Sequence, residues 1–324
     1  MGRAPVLLVK EIYYPVLAII GVPANLVTIV ILSRGNCGLA KCSSVYMVGM
    51  ASADLLVMVF NVVVVYIFTY HFPHSFLTIT PVCKFIIYMS TVTLDMSAWF
   101  TLSFTFDRCV AICSRKLQTM YCTGRTATVV LMTLALLIVS KNIPFFFAYE
   151  PLHIVDEVQW GCRVNIPFFT SPAGAGFLKF HALCVGALPF ALIFMFNSVT
   201  ARRILAASRA RRALRGNIND KQSDPEVANR RKSVILVFAI SGSFVLLWIT
   251  AGVTFAVTGL TNPNRFRGDL NDPAYVATAV GAMLKYMSSC SNTCIYALTQ
   301  SKFREQLKEA VKSHWWLFHG SGRN

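Results

Sequence analysis

The chain has 324 residues, 55% of them hydrophobic and only 14% charged, with a mean hydropathy of +0.57. A soluble domain carries about 25% charged residues, so an ordinary globular fold is excluded. The net charge of +16 would suit nucleic acid, but the basic residues fall between apolar runs, which points to one face of a membrane instead.

Seven long apolar runs lie at about 12–33, 44–68, 82–112, 125–149, 175–203, 232–258 and 274–298. Each can cross roughly 30 Å of hydrocarbon, the longer ones with tilt. The alternation needed for a membrane β-barrel is absent. The expected fold is therefore all-α, a seven-transmembrane helix bundle in one domain over residues 1–324, without internal repeat. No cleavable signal peptide precedes the first run, which is long enough to remain as a span. Most Lys and Arg lie at one set of loops and helix ends: Arg34, Lys41, Arg108, Arg115, Lys116, Arg125, the cluster from Arg202 to Lys232, and Lys302, Arg304, Lys308, Lys312 and Arg323. The opposite loops hold few, such as Arg163, Arg265 and Arg267. The positive-inside rule then places the N-terminus outside and the C-terminus in the cytoplasm of a multi-pass protein. A basic inner face suits anionic lipid and needs no nucleic acid.

Span one carries Asn25 within Gly21-Val22-Pro23-Ala24-Asn25, and span two carries Asp54. Ser97 lies in span three, and span seven holds Ser288, Ser289, Ser291, Asn292 and Tyr296. A lone Asp at membrane depth is costly unless paired or hydrated. Convergence of Asn25, Ser97, Ser289 and Asn292 on Asp54, with water and a monovalent cation, is the cheapest solution. A polar cluster that only packs is the alternative.

Span three opens near Cys83 and closes on Asp107-Arg108-Cys109. The rise between Cys83 and Asp107 is roughly 36 Å of helix, about one bilayer with its interface. An acid beside an arginine at a membrane boundary is kept for function. Cys83 and Cys162 both lie on the oxidising side, where a disulfide can persist. The ten cysteines show no CxxC pair and no Cys/His cluster, which argues against zinc.

The inner loop 204–231 carries Arg209, Arg211, Arg212, Arg215, Lys221, Arg230 and Arg231. It reads either as a solvated linker or as a protein-docking surface. Beyond span seven, at about 301–316, Phe303, Leu307, Val311 and His314 recur at helical spacing, with Lys308, Glu309 and Lys312 on the other face. Trp315, Trp316 and Phe318 follow, so this stretch is expected to lie in the inner membrane interface. No Cys follows Cys294, which leaves no palmitoyl anchor there.

Asp95, Lys141, Lys179 and Lys285 are further charges near membrane depth. Each reads as a ligand contact, an internal ion pair or a snorkelling side chain; snorkelling is the favoured reading for Lys141 and Lys179, and Lys285 is better placed for an anionic ligand group. No nucleophile–base constellation or metal motif points to an enzyme. A transporter or channel, the alternative class, would show an inverted repeat or broken helices, and neither is visible.

Taken jointly, the seven spans, Asn25, Asp54, Cys83 with Cys162, Asp107-Arg108, Pro189, Phe244, Trp248 and Asn292 to Tyr296 resemble the rhodopsin-like (class A) G-protein-coupled receptors. The resemblance covers nearly the whole chain. Within the family, Gly21 to Leu26, Phe106 to Cys113 and Tyr121 to Thr126 resemble an orphan branch proposed to sense aromatic amino acids. The resemblance implies a plasma-membrane receptor for an extracellular small molecule or short peptide, with a heterotrimeric G protein, and arrestin, as inner partners. The short tail offers arrestin few Ser and Thr. Asp107, Arg108, Asn292 and Tyr296 would form the G-protein switch, with Arg108 on Asp107 at rest. Phe244, Trp248 and Pro189 would form the activation relay, and a Cys83–Cys162 disulfide would tether the second outer loop. Asp54, Ser97 and Asn292 would hold sodium. The ligand pocket would draw on Tyr88, Ser90, Thr91, Leu94, His181, Trp248, Phe255 and Lys285, with His181 more often a packing residue than a contact. Ser90 stands where amine receptors carry an acid. In opsins the retinal-binding Lys falls one position later, at Tyr286, and a shift of one residue turns a helical side chain by about 100°. Departures from the family are Cys109, Thr250, Thr293 and Asn197, and span four lacks its usual Trp. The loss of two helix-kinking prolines is expected to alter the hinges.

Overall fold

The computed structural model describes residues 5–35, 37–155, 157–214, 225–261 and 272–319. Arg215, Lys221, Arg265, Arg267 and Arg323 lie outside these residues, as do the side chains of Arg211, Arg212, Arg230, Arg231, Phe255, Val311, His314, Trp315, Trp316 and Phe318.

Among the described residues, seven long helices form the bundle. They are Pro5–Ser33, Lys41–His71, Thr80–Cys113, Gly124–Phe147, a fifth built from Pro172–Ala182, Leu183–Ala187 and Leu188–Leu214, then Pro225–Thr261 and Pro273–Thr299. Six contain windows long and apolar enough to cross a membrane. Pro273–Thr299 falls short of that hydropathy because Lys285, Ser288, Ser289, Ser291, Asn292 and Thr293 interrupt its apolar face. Large apolar side chains such as Ile12, Ile19, Leu136, Phe194 and Leu246 point outward. An outer surface of this kind belongs in lipid, where helices alone satisfy every backbone group.

The helix starts follow local chemistry. Thr123, Ser171 and Asp272 each cap a span by accepting a backbone N–H, at 3.1, 3.0 and 2.8 Å. Pro172 and Pro273 occupy the first helical positions, where no N–H is needed. Span one begins earlier than the expected 12–33. Lys10 and Glu11 end the apolar run without ending the helix, since Lys10 rests 5.0 Å over the Tyr275 ring and Tyr70 donates to Glu11 at 2.8 Å. The basic loop expected at 204–231 is shorter, because span five continues to Leu214 and span six starts at Pro225.

Two stretches wind as π-helix, Met58–Phe68 in span two and Leu183–Ala187 in span five. The first coincides with Val62-Val63-Val64-Val65, where stiff β-branched side chains crowd the preceding turn. Between the start of span one and the end of span two lies a side cavity of about 380 Å³, lined among others by Lys10, Tyr14, Tyr66 and His71.

Span three runs through the middle, touching spans two, four, five and six. Spans six and seven pack closely, since a Cβ at Gly281 would lie 2.9 Å from the Ala251 backbone. Contact without a side chain is how membrane helices approach when lipid supplies no hydrophobic drive. After span four, β1 (Tyr149–Glu150) pairs antiparallel with β4 (Arg163–Val164), and β2 (His153–Val155) with β3 (Val158–Trp160). Gly161, at φ 71°, turns this loop onto the start of span three, where Gly161 N donates to Thr78 O at 2.7 Å and Thr80 Oγ1 donates to Gly161 O at 2.8 Å. Cys83 and Cys162 are joined by a disulfide at the same place.

The last helix, Ser301–His319, follows span seven after a break at Gln300, whose backbone is extended. On its apolar face Phe303 is fully buried against Tyr296, with ring centres 5.9 Å apart, so it docks this helix onto the bundle.

Candidate functional site

At the end of span three, Asp107 is 0% and Arg108 8% exposed. Both Nε, at 2.9 Å, and Nη2 of Arg108 donate to Asp107 Oδ2. The other carboxylate oxygen accepts from Cys42 Sγ of span two at 2.7 Å, and Cys122 Sγ donates to the Asp107 carbonyl at 3.7 Å. Phe104 stacks under the guanidinium at 5.9 Å. The pair is thus a closed latch held from three sides. Burial and the adjacent Asp107 push the Cys122 thiol, in the turn beyond Tyr121, up to about 11. Sequence reasoning missed Cys42 and Cys122, because nothing in a cysteine's sequence position reports its neighbour.

Tyr296 and Asn292, grouped with the pair as a G-protein switch, make no hydrogen bond to Arg108 among the described residues. Tyr296 is fully buried among Phe104, Leu236 and Ile240, and its hydroxyl has no partner among the described residues. Asn292 belongs one layer deeper. There Asp54, 1% exposed, accepts from Ser97 Oγ at 2.6 Å and Asn292 Nδ2 at 2.8 Å. Ser289 faces Asp54 as well, its hydroxyl just beyond a direct hydrogen bond to any described residue. Asn25 does not converge on the carboxylate. Its amide donates to Gly21 O and Ser289 O, at 3.0 and 2.9 Å, and so fastens span one to span seven.

Two departures from the family pattern make contacts of their own. Thr293 shares a 2.8 Å hydrogen bond with Thr28 and donates to Ala24 O at 3.2 Å. A proline there would lack this hydroxyl. Asn197 Nδ2 donates to Ser241 Oγ at 2.8 Å, tying spans five and six near the latch end, where described contacts between them are sparse. Thr250 leaves span six unbroken, its carbonyl accepting from Thr254 at 2.9 Å.

Toward the disulfide end, Asp95 Oδ2 accepts from Lys141 Nζ at 2.6 Å and Asn142 Nδ2 at 2.7 Å. Lys141 also reaches His181 Nδ1 at 3.0 Å. The snorkelling reading of Lys141 is therefore corrected: the ammonium turns inward because a buried carboxylate awaits it. Lys179 is exposed. A second network was missed. Asn61 donates to Ser90 O and Thr93 Oγ1, and accepts from Ser90 Oγ at 2.5 Å and Tyr286 Oη at 3.4 Å. Its signal was in the sequence, since Asn61 lies two helical turns after Asp54, on one face. Trp99 Nε1 donates to Cys184 O at 3.0 Å, a carbonyl inside the π-helical turn of span five.

The expected pocket residues thus separate. Ser90 is engaged by Asn61, and Tyr88 turns to span four, donating to Val139 O at 2.8 Å. Thr91 bonds its own helix at Tyr88 O. Leu94, His181, Trp248 and Lys285 remain near the centre: Leu94 packs on the cluster holding Phe244 and Trp248, and Lys285 Nζ lies 5.9 Å from the Trp248 ring. Pro189 is buried in span five, and Phe244 lies 4.8 Å from Trp248, ring to ring.

A family model described as 7 transmembrane receptor (rhodopsin family) matches residues 24–296. A compound eye opsin, BCRH2, of Hemigrapsus sanguineus is 23% identical over 90% of this chain and 75% of its own length. B2 bradykinin receptors of Rattus norvegicus and Mus musculus are each 26% identical over 29% of this chain, and those matches span about a quarter (24%) of either receptor.

Proposed function

The chain belongs to the seven-transmembrane receptor family of rhodopsin type, and on that premise we propose that it passes a signal from a ligand at the disulfide end to a heterotrimeric G protein at the Asp107-Arg108 end. In this reading it is a multi-pass plasma-membrane protein with its N-terminus outside. The observation that carries the proposal is the buried Arg108–Asp107 pair at the end of span three. Breaking a buried pair leaves an uncompensated charge and costs about 3–5 kcal/mol. A state with Arg108 released therefore needs a partner at that face, which a docking G protein supplies. Ligand binding shifts the population toward that state by binding it better. Trp248 and Phe244 relay the shift into span six, against the Asn197–Ser241 tie.

The ligand of this reading is a small molecule such as an aromatic amino acid, or a short peptide. Sodium at Asp54 favours the resting state. The residues there fit the ion, since a hard cation takes oxygen ligands and the Ser289 hydroxyl beside Asp54 is unengaged. Arrestin is a second inner partner, and the final amphipathic helix meets membrane lipid. The test is co-purification after enzymatic removal of nucleotide. Wild type should retain a heterotrimeric G protein that Arg108→Ala loses, and failure of wild type to retain any G-protein class overturns the proposal.

A further inference from the structure

Lys285 is the charge that the networks above leave over. Around it lie Asp95, Lys141 and His181, from spans three, four and five. Lys141 is paired with Asp95, whose carboxylate is further held by Asn142. An ammonium only donates, so His181 Nδ1 accepts from Lys141 and the imidazole is uncharged. One aspartate faces two lysines, and a single positive charge remains. Lys285 makes no hydrogen bond or ion pair among the described residues. Its ammonium touches only rings, Tyr286 at 5.0 Å and Trp248 at 5.9 Å. It is half-buried, so a ligand can reach it. A second observation points the same way. Trp248 is 5% exposed, and its Nε1–H has no acceptor among the described residues. Two donors without acceptors therefore stand together at membrane depth, where an unmatched donor or charge is costly.

We propose that Lys285 is the anion-recognition residue of the ligand site and that the ligand class is a small organic acid presenting one carboxylate to Lys285 and Trp248. The proposal rests on the receptor reading above and names the ligand chemistry of its site. One uncompensated charge matches one carboxylate, whereas a phosphate monoester carries about −1.5 to −2 at neutral pH and would overshoot it. The surroundings also set the ligand's body. Leu94, Phe190 and Phe244 line the Trp248 cluster, which suits an apolar or aromatic group.

The experiment uses the purified full-length chain and matched probes: small aryl- and alkyl-substituted carboxylic acids, each with its primary carboxamide and the phosphate monoester of the corresponding alcohol, and sodium chloride alone. Melting temperature reports binding, and nucleotide exchange on added G protein reports signalling. At least one acid should raise the melting temperature, with its carboxamide about 10- to 100-fold weaker, the range for a charge-assisted hydrogen bond. Lys285→Gln should bring that acid to the level of its amide, and Lys285→Arg should keep the preference. Unliganded Lys285→Gln should melt no lower than wild type, because it removes an unmatched charge. The inference is overturned if no acid shows a Lys285-dependent preference, if the phosphate ester is preferred, or if chloride alone matches the best acid. Acid binding that follows Lys285 without exchange overturns the receptor reading and leaves this inference standing. Exchange driven equally by acid and amide does the reverse.

Discussion

Lys141→Met is the substitution whose cost the structure sets most clearly. Asp95 is 1% exposed at its side chain and Lys141 15%, with 2.6 Å between charges. Removing the ammonium leaves a buried carboxylate with Asn142 as its remaining donor. The expected loss is about 3–5 kcal/mol, the range for breaking a buried pair. At 2–4 °C per kcal/mol for larger chains, that is a fall in melting temperature of about 6–20 °C. The double variant Asp95→Asn with Lys141→Met removes both charges and retains the shape of Asp95. It should recover most of the loss, since neutral replacement of a buried pair is often harmless. Thermal unfolding of wild type, both single variants and the double variant in one detergent closes the cycle. If Lys141→Met melts within 2 °C of wild type, an effect below about 1 kcal/mol, Lys141 snorkels after all and the reasoning is refuted. A double variant as unstable as the single one would refute the pairing as the cause.

Other expectations can be checked in the same preparations. Sodium should raise the melting temperature of wild type over equimolar potassium, and Asp54→Asn should abolish the difference, because the Asp54 carboxylate on which Ser97 and Asn292 converge would be the charged ligand. Thr293→Val should cost about 1–2 kcal/mol by removing the hydroxyl that joins spans one and seven, read as a lower melting midpoint. The Cys122 thiol titrates near 11, above the ordinary range, and the thiolate is the reactive form. Its alkylation should therefore be slow at pH 7.5 and rise steadily toward pH 10. Fast labelling at pH 7.5 in the unliganded protein would contradict the closed latch.

The sequence made the bundle legible because membrane spans must be long, apolar and helical. It made Asp54 legible for the opposite reason, since a lone acid in an apolar run has to find partners, and Ser97 and Asn292 are among those it finds. Asn25 was legible as buried, but its partner was not. The amide satisfies backbone carbonyls, which sequence does not distinguish. Lys141 was misread because a snorkelling lysine and a paired one have the same local sequence, and Asp95 lies 46 residues away. The packing of Phe303 on Tyr296 was not legible for a related reason. Amphipathic spacing names an apolar face without saying whether lipid or the bundle covers it. Asn61 is the avoidable omission, since its register with Asp54 was in plain view.

The central claim is that the Asp107-Arg108 end activates a G protein. Nucleotide exchange on a panel of purified heterotrimeric G proteins, with the chain in lipid nanodiscs, tests it most directly. The account predicts that at least one class exchanges nucleotide faster with wild type and an activating ligand, and that Arg108→Ala abolishes the acceleration while retaining the fold. Exchange that is the same with and without the chain across every class, or acceleration undiminished by Arg108→Ala, would contradict it.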